Sequence, residues 1–440
     1  MTNSEVHILI NNLKKMIEQS VSPFHTIDTV KRILSENDFK ELQRGEDFKL
    51  ESMGKYYIDI YDSSLIAFTV GKNIKGGIRL TSSHTDFPCF KIKPNAVIFA
   101  ENNSGSGYVK INTEVYGGPI LNTWLDRPLS AAGRLVIKGT DTANPFDNKT
   151  ILIDAKKPVL IIPNLAIHMN REVNKGVELN RQKDMLPITA CNIKKTKDVI
   201  ELLFSDKLKE LGIKSEDVLD YELYVYNLDE GSIVGIDESM YSSPRLDNLT
   251  SVFAQTNALI NADRDNGLNI AMYFDNEEIG SRTKQGAASD ISLLIMEKIY
   301  EGLGMTRNEM INDLLDGMML SIDVAHAIHP NSPEKSDPTN HVMLNKGMVI
   351  KISASQSYSN DALGIAAISR ICSENNIEYQ KFVNKSDMPG GQTLGAVSST
   401  VLPVRTIDIG IPLLSMHSSR ELMGIKDEKN LEKFLTVYYS

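Results

Sequence analysis

LNIAMYFDNEEIGS, residues 268–281, runs from a β-rich stretch into two adjacent glutamates and a Gly-Ser turn. The stretch is continuously apolar apart from Asn269, not alternating, and that suits a strand covered on both faces by helices. Glu277 and Glu278 repel one another at its end and gain nothing from packing, so their placement asks for a chemical reason. Three other segments share the design. GGIRLTSSHTD (76–86) leads into His84 and Asp86, GMMLSIDVAHAIHP (317–330) into Asp323 and His326, and VRTIDIGIPLLSMHSSRE (404–421) into His417. Helical periodicity fills the intervals, in NLTSVFAQTNALINA (248–262), AASDISLLIMEKIYEGLG (287–304) and DALGIAAISRICSENN (361–376). Strands alternating with helices predict an α/β domain with a mostly parallel central sheet flanked by helices. Ligands of such sheets bind beyond the carboxyl ends of the strands, where all these polar clusters fall.

Between residues 93 and 239 the pattern changes. YVKINTEVYGG, RLVIKG, KTILIDAKKPVLIIPNL and YELYVYNL are short β-type runs broken by Gly, Asn, Asp and Pro, with one helical piece, DVIELLFSDKLKELG. We read 93–239 as a β-rich domain inserted into an α/β domain made of 1–92 and 240–440. At 440 residues the chain is long enough for two domains.

Composition bounds the function. With 41% hydrophobic and 24% charged residues, the chain is neither disordered nor membrane-spanning. Apolar runs such as PVLIIPNLAI are about half of the ~20 residues that cross a bilayer. The first twenty residues lack a basic start and apolar block, and read instead as an amphipathic helix with Leu9, Leu13, Met16 and Ile17 on one face. Cys89, Cys191 and Cys372 are scattered and odd in number, with no CxxC. That points to a reducing cytoplasm and away from disulfides or thiolate metal sites. A net charge of −10 without a basic stripe excludes nucleic acid as a partner.

His84, Asp86, Asp247, Glu277, Glu278, Asp323 and His417 form a nitrogen and oxygen donor set that zinc accepts, as do cobalt and manganese. Two ions about 3.5–4 Å apart, bridged by a carboxylate and sharing a water, are the usual hydrolytic arrangement. It needs a bridging acid, further ligands for each ion and one carboxylate left as base, and the set supplies all of these. Consecutive side chains of an extended segment point apart, so one glutamate of the pair can coordinate while the other reaches the water. Each residue also has a plainer reading. His84 can be a hydrogen-bonded structural histidine, Asp247 a helix cap, and Glu277–Glu278 a solvated loop pair. Asp323 is different, because a carboxylate after the buried run MMLSI is costly unless it is paired.

Eight segments, in order, extend the argument: SSHTDFPCFKIKP, IPNLAIHMNREVNKG, SPRLDNLTS, FDNEEIGS, DVAHAIHPN, GMVIKISASQSYS, DMPGGQTLG and SMHSSRE. Over about residues 80–421 they resemble the aspartyl aminopeptidase family of dinuclear zinc exopeptidases. The resemblance implies an α/β catalytic domain carrying an inserted dimerisation domain, and two divalent ions per chain. His84 and Asp323 would bind one ion, Glu278 and His417 the other, and Asp247 would bridge. Glu277 would be the general base and Asp86 would orient His84. His168, His326, Lys351 and Tyr358 would contact a peptide substrate, His168 from a neighbouring subunit. Homodimers assembling into a dodecamer are implied as well.

The family's acid-selective members carry Ser where this chain has Phe87, and Cys-Gly-Ser where it has Gly390, Gly391 and Gln392. The region YGGPILNTWLDRP differs too. The expected activity is a cytoplasmic metalloaminopeptidase with an Asp or Glu preference. Alternatives are an aminopeptidase of neutral or broad preference, a metal-dependent deacylase, and an assembly particle without catalysis.

Overall fold

The strand Asn266–Phe274 is buried from Gly267 onward, and its neighbours decide where its end points. The computed structural model describes residues 3–101, 107–141, 143–191 and 198–440. Asn266–Phe274 pairs antiparallel with Ser64–Val70 on one side and parallel with Asn73–His84 on the other. The parallel register sets Phe274 beside His84, so the two strands deliver the glutamate turn and the histidine to the same place. Met318–Ile322 continues in parallel on the far side of Asn73–His84, with Ser321 opposite Ser82. Asp323 therefore emerges level with His84.

The full sheet has nine strands in the order Lys40–Glu41, Lys55–Ile60, Ser64–Val70, Asn266–Phe274, Asn73–His84, Met318–Ile322, Arg405–Gly410, Met348–Ile352 and Tyr379–Val383. Parallel pairings outnumber antiparallel ones, in accord with the mixed α/β class expected. The apolar run of the central strand is explained by its two faces. Ala271 and Tyr273 join one core cluster with Leu249, Val252 and Phe434 from helices Leu246–Asn261 and Ile425–Tyr439. Ile270, Met272 and Phe274 join another with Ile295, Ile299 and Leu314 from helices Ile291–Gly302 and Arg307–Asp316. Alternation is lost because both faces are dry. The amino-terminal helix Asn3–Gln19 buries Leu13, Met16 and Ile17 as its periodicity predicts; Ile10 is buried too, and Leu9 is only partly so.

Residues Met1–Asp86, Gly231–Met416 and Glu421–Ser440 group as one compact unit. A small sheet in it pairs Met240–Ser243 with Glu421–Gly424, placing Glu421 across from Ser243. The second unit is Phe87–Glu230 with His417–Arg420. Its six strands run Asn148–Asp154, Leu129–Lys138, Val218–Asn227, Cys89–Glu101, Gly107–Tyr116 and Ile188–Cys191, all antiparallel. Its helix, Val199–Leu211, starts where the Asp198 side chain accepts from Ile200 and Glu201 N–H, and ends at Gly212 with φ +67°. Between Asp154 and Ile188 the chain forms a long connection whose one helical turn is Val173–Lys175.

Helix Ile425–Tyr439 carries a group at odds with its surroundings. Glu428 is completely buried, and among the described residues neither of its carboxylate oxygens has a hydrogen-bond partner. Burial first, then Glu432 and Asp427, lift its carboxyl well above the ordinary range. Such an acid keeps its proton in the fold and loses it in the unfolded chain, whose carboxyls titrate near about 4.3. The penalty therefore begins just above that pH and deepens until the folded value is passed. The melting temperature of Glu428→Gln should pull ahead of the native chain's as pH rises from about 5 to about 8. A gap that does not grow with pH would count against a buried, protonated Glu428.

Candidate active site

The turn after Phe274 is built by backbone that few residues adopt. Asn276 has φ +65° and Gly280 φ +98°, and between them Glu277–Ile279 makes one helical turn. Asp86 holds that turn. Its Oδ1 accepts the N–H of Glu277 and its Oδ2 the N–H of Glu278, both at 3.1 Å. The same residue fixes His84 by its backbone. His84 Nδ1 lies 3.0 Å from the Asp86 carbonyl and 3.4 Å from Oδ1 of its carboxylate. Donation from Nδ1 turns Nε2 toward the carboxylates, and in the neutral ring this hydrogen bond makes Nε2 the lone-pair nitrogen. Orientation of His84 was the role expected of Asp86; holding the glutamate turn was not.

Around His84 Nε2 the carboxylates converge, with Asp247 Oδ1 at 3.4 Å, Asp323 Oδ1 at 3.6 Å and Glu277 Oε2 at 4.0 Å. Donor atoms of His84, Asp247 and Glu278 all lie within 4.8 Å of one another. His84 and Asp247 are buried, and Glu277 and Glu278 half-buried. Asp247 is positioned by Glu421, a buried carboxylate whose Oε2 accepts the Asp247 N–H at 2.9 Å. Asn248 follows, its side-chain amide donating to the Ile322 carbonyl at 2.8 Å and so tying the segment to the strand before Asp323. Glu421 closes the SMHSSRE segment, where the sequence marks it only weakly. Its signal was a charge at the start of a short buried strand.

The electrostatics are those of a site built for cations. Burial alone would depress the His84 imidazole, but Asp247, Asp323, Asp86 and Glu277 outweigh it and hold it well above the usual range. Burial pushes Glu277 up to about 8, helped by Asp323, Asp86 and Asp247 and opposed by His84. Burial also lifts Asp323, yet Lys351 and His84 override it and hold that carboxyl low. Lys351 is itself buried, with Nζ 3.4 Å from Asp323 Oδ2 and 3.0 Å from the Val324 carbonyl. Five carboxylates thus face one lysine and one imidazole. Ligands at about 2.0–2.1 Å from a tetrahedral zinc stand roughly 3.3 Å apart. The His84–Asp247 and His84–Asp323 separations fit that spacing, and dications would balance the charge. The residues present therefore fit divalent metal.

The other expected residues are placed as follows. Tyr358 is buried, its ring 5.0 Å from Lys351 Nζ and its hydroxyl 3.4 Å from Asn384 Nδ2. His326 is exposed at the end of a two-residue strand, its ring 6.0 Å from Phe382. These residues belong to the first unit with the cluster. His417 and His168 belong to the second. His417 Nδ1 lies 3.1 Å from the Gly118 carbonyl. His168 is exposed on the long connection.

Carboxylates and an imidazole gathered at strand ends in a mixed α/β sheet are the donor set that a metal-dependent hydrolase needs. More narrowly, the chain belongs to the aminopeptidase I zinc metalloprotease family (M18), whose model matches residues 16–439. The resemblance read from the eight segments is thereby borne out. The chain is 45% identical over 435 residues to a probable M18 family aminopeptidase 2 of Clostridium acetobutylicum, covering 97% of this chain and 98% of that one. Among solved structures it superposes on a chain of the Ape4 and Nbr1 complex with a TM-score of 0.92 at 29% identity, covering 99% of this chain and 86% of that one. The S. cerevisiae mApe1 dodecamer gives 0.83 at 26% identity, covering 99% and 97%. Among the described residues no helix is long and apolar enough to cross a membrane.

Proposed function

We propose that this aminopeptidase removes an amino-terminal Asp or Glu from peptides, with two divalent ions, most simply zinc, and Glu277 as general base. The observation that carries the reading is the convergence of Asp247, Asp323 and Glu277 on His84 Nε2. His84 and Asp323 would hold one ion, Glu278 and His417 the other, with Asp247 between. When bound, the ions supply Lewis acidity at the scissile carbonyl and lower the pKa of water. Glu277 takes the proton from the attacking water as the oxygen adds to the carbonyl carbon. It returns that proton to the nitrogen as the C–N bond breaks, so the amine leaves neutral. Asp86 keeps Glu277 in reach through its hold on the turn.

The acid preference rests on Lys351. An ammonium has three donors, and among the described residues two are directed at Asp323 and the Val324 carbonyl. The third would turn to a substrate carboxylate, beside the Tyr358 ring 5.0 Å from Nζ. A second reading, neutral or broad preference, is favoured by Gly390. A Cβ there would stand 3.0 Å from the Tyr358 hydroxyl, so the loop that departs from the acid-selective pattern packs on a proposed substrate contact. Initial rates on matched peptides beginning Asp, Glu, Leu and Lys decide. Rates led by Asp or Glu support the first reading, and rates led by Leu or Lys move specificity to the Gly390 loop.

We read the second unit as the dimerisation domain and the chain as a homo-oligomer, dimers assembling into a dodecamer. Support comes from the dodecameric mApe1 and from the connection around His168, where Leu165, Ile167, Met169 and Val177 are exposed, Met169 at 74%. A neighbouring copy covering that segment would take His168 with it. Cytoplasmic residence fits three free cysteines.

A further inference from the structure

Asp408 is completely buried in the strand Arg405–Gly410, and no step of the proposed reaction uses it. A buried charge is costly unless it is paired, so its partners carry information. The parallel register sets Ser321 directly across from it, and Ser321 Oγ donates to Oδ1 at 2.5 Å. Oδ2 accepts the Ser359 N–H at 2.5 Å, while the Asp408 N–H donates to the Ser359 carbonyl at 2.9 Å. The antiparallel register that pairs Ile350 with Ile409 brings Lys351 level with Asp408 on the neighbouring strand, and its ammonium supplies the attracting charge. The Thr393 hydroxyl, at the end of the nearby loop, donates to the Ser357 carbonyl at 3.4 Å. Gly395 makes room, since a Cβ there would lie 2.8 Å from Oδ2 and 2.6 Å from Ser321 Cβ.

Every one of these partners adjoins the proposed substrate side. Ser321 lies in the strand Met318–Ile322, two residues before Asp323. Ser359 follows Tyr358. Thr393 closes the loop Met388, Pro389, Gly390, Gly391, Gln392, and it is tied back by its N–H to the Ser357 carbonyl at 3.2 Å. Lys351 is itself the proposed acid-reading group, and both Asp323 and Asp408 draw on its charge.

We infer that Asp408 is a positioning residue that sets where Lys351 and Tyr358 stand relative to Asp323, and thereby the enzyme's choice of amino-terminal side chain. The inference rests on the proposed reading that Lys351 meets the substrate's acidic side chain. Without the Asp408 charge, Asp323 and Asp247 on the metal side draw the ammonium, and Lys351 withdraws from the substrate. Asn in its place keeps the shape and can still accept from Ser359, so the loss is one of charge.

The test is a kinetic cycle on the assembled, metal-loaded enzyme: the native chain, Asp408→Asn, Lys351→Met and the double variant. Metal content and melting temperature accompany rates on Asp- and Leu-initiated peptides. Asp408→Asn should lower kcat/KM for the Asp peptide about tenfold, mostly through KM, and leave the Leu peptide nearly unchanged, a size usual for coupled groups in contact. In the Lys351→Met background the same change should do nothing to the Asp-to-Leu ratio. A purely structural role would lower both peptides alike, along with the melting temperature, and would overturn the inference. If Lys351→Met shifts the ratio and Asp408→Asn does not, the inference alone fails. If Lys351→Met leaves the ratio untouched, the reading of Lys351 fails and takes the inference with it. Should Asp408→Asn not fold, Ser321→Ala frees Oδ1 while keeping the charge. It should move the ratio in the same direction by less, and an unmoved ratio in folded, metal-loaded Ser321→Ala overturns the inference.

Discussion

Glu277→Gln is expected to keep its metal and its assembly while turnover falls at least ~100-fold, within the span that general-base catalysis covers. The amide matches the carboxylate in shape and leaves the Asp86 hydrogen bonds untouched, since those go to the backbone N–H of Glu277 and Glu278. What it removes is the lone-pair basicity that takes a proton from water. The loss should appear in kcat rather than KM, because the group works during bond breaking and not in substrate binding. Atomic spectroscopy beside initial rates separates the roles. Native turnover in the variant would mean that another group is the base, and lost metal would make Glu277 a ligand.

Stripping the metal should have the second large effect, bringing peptide hydrolysis down to the buffer rate, with recovery on adding zinc or cobalt. The donor set argues for both halves of that result. His84 Nε2, Asp247 and Asp323 stand at ligand-to-ligand spacing, and nothing else in the cluster can polarise a carbonyl. Lys351, the buried lysine beside the cluster, is engaged with Asp323. Recovery is expected because the residues are held by hydrogen bonds of their own, through the Asp86 carbonyl and carboxylate and through Glu421. Activity that persists after spectroscopy shows no metal left would remove the ions from the reaction.

Much of this was legible in the residues and some was not. A strand that reads apolar throughout and stops at polar residues shows where a ligand end must be, and His84, Glu277, Glu278 and Asp323 all emerge there. Strand order and register are invisible in such runs. Nothing local says that Phe274 pairs with His84, or that Ser321 sits opposite Asp408. The same blindness hid the hydrogen bonds of the Asp86 carboxylate, whose partners lie 191 and 192 residues away. Lys351 reads as a solvent-facing strand residue or a substrate contact; the fold takes it out of bulk solvent and sets its Nζ on Asp323. Asp408 carried a usable signal, a lone carboxylate inside the run TIDIG. The burial argument made for Asp323 applies to it unchanged.

The position of Asn73–His84 in the sheet has a consequence for how the chain is made. Both its neighbours, Asn266–Phe274 and Met318–Ile322, come from far later in the sequence. Lys55–Ile60 and Ser64–Val70 can zip into a hairpin as they leave the ribosome. The strand that carries His84 cannot. At about 5–20 residues per second, the wait for its first partner lasts roughly 10–40 seconds. Through that interval a strand destined for the middle of the sheet stays unpaired on both edges, the state most prone to join the wrong chain. The antiparallel pairings of 87–230 can form within it. Yield in vivo should thus be governed by what shelters the nascent chain during those seconds, more than by the stability of the finished sheet.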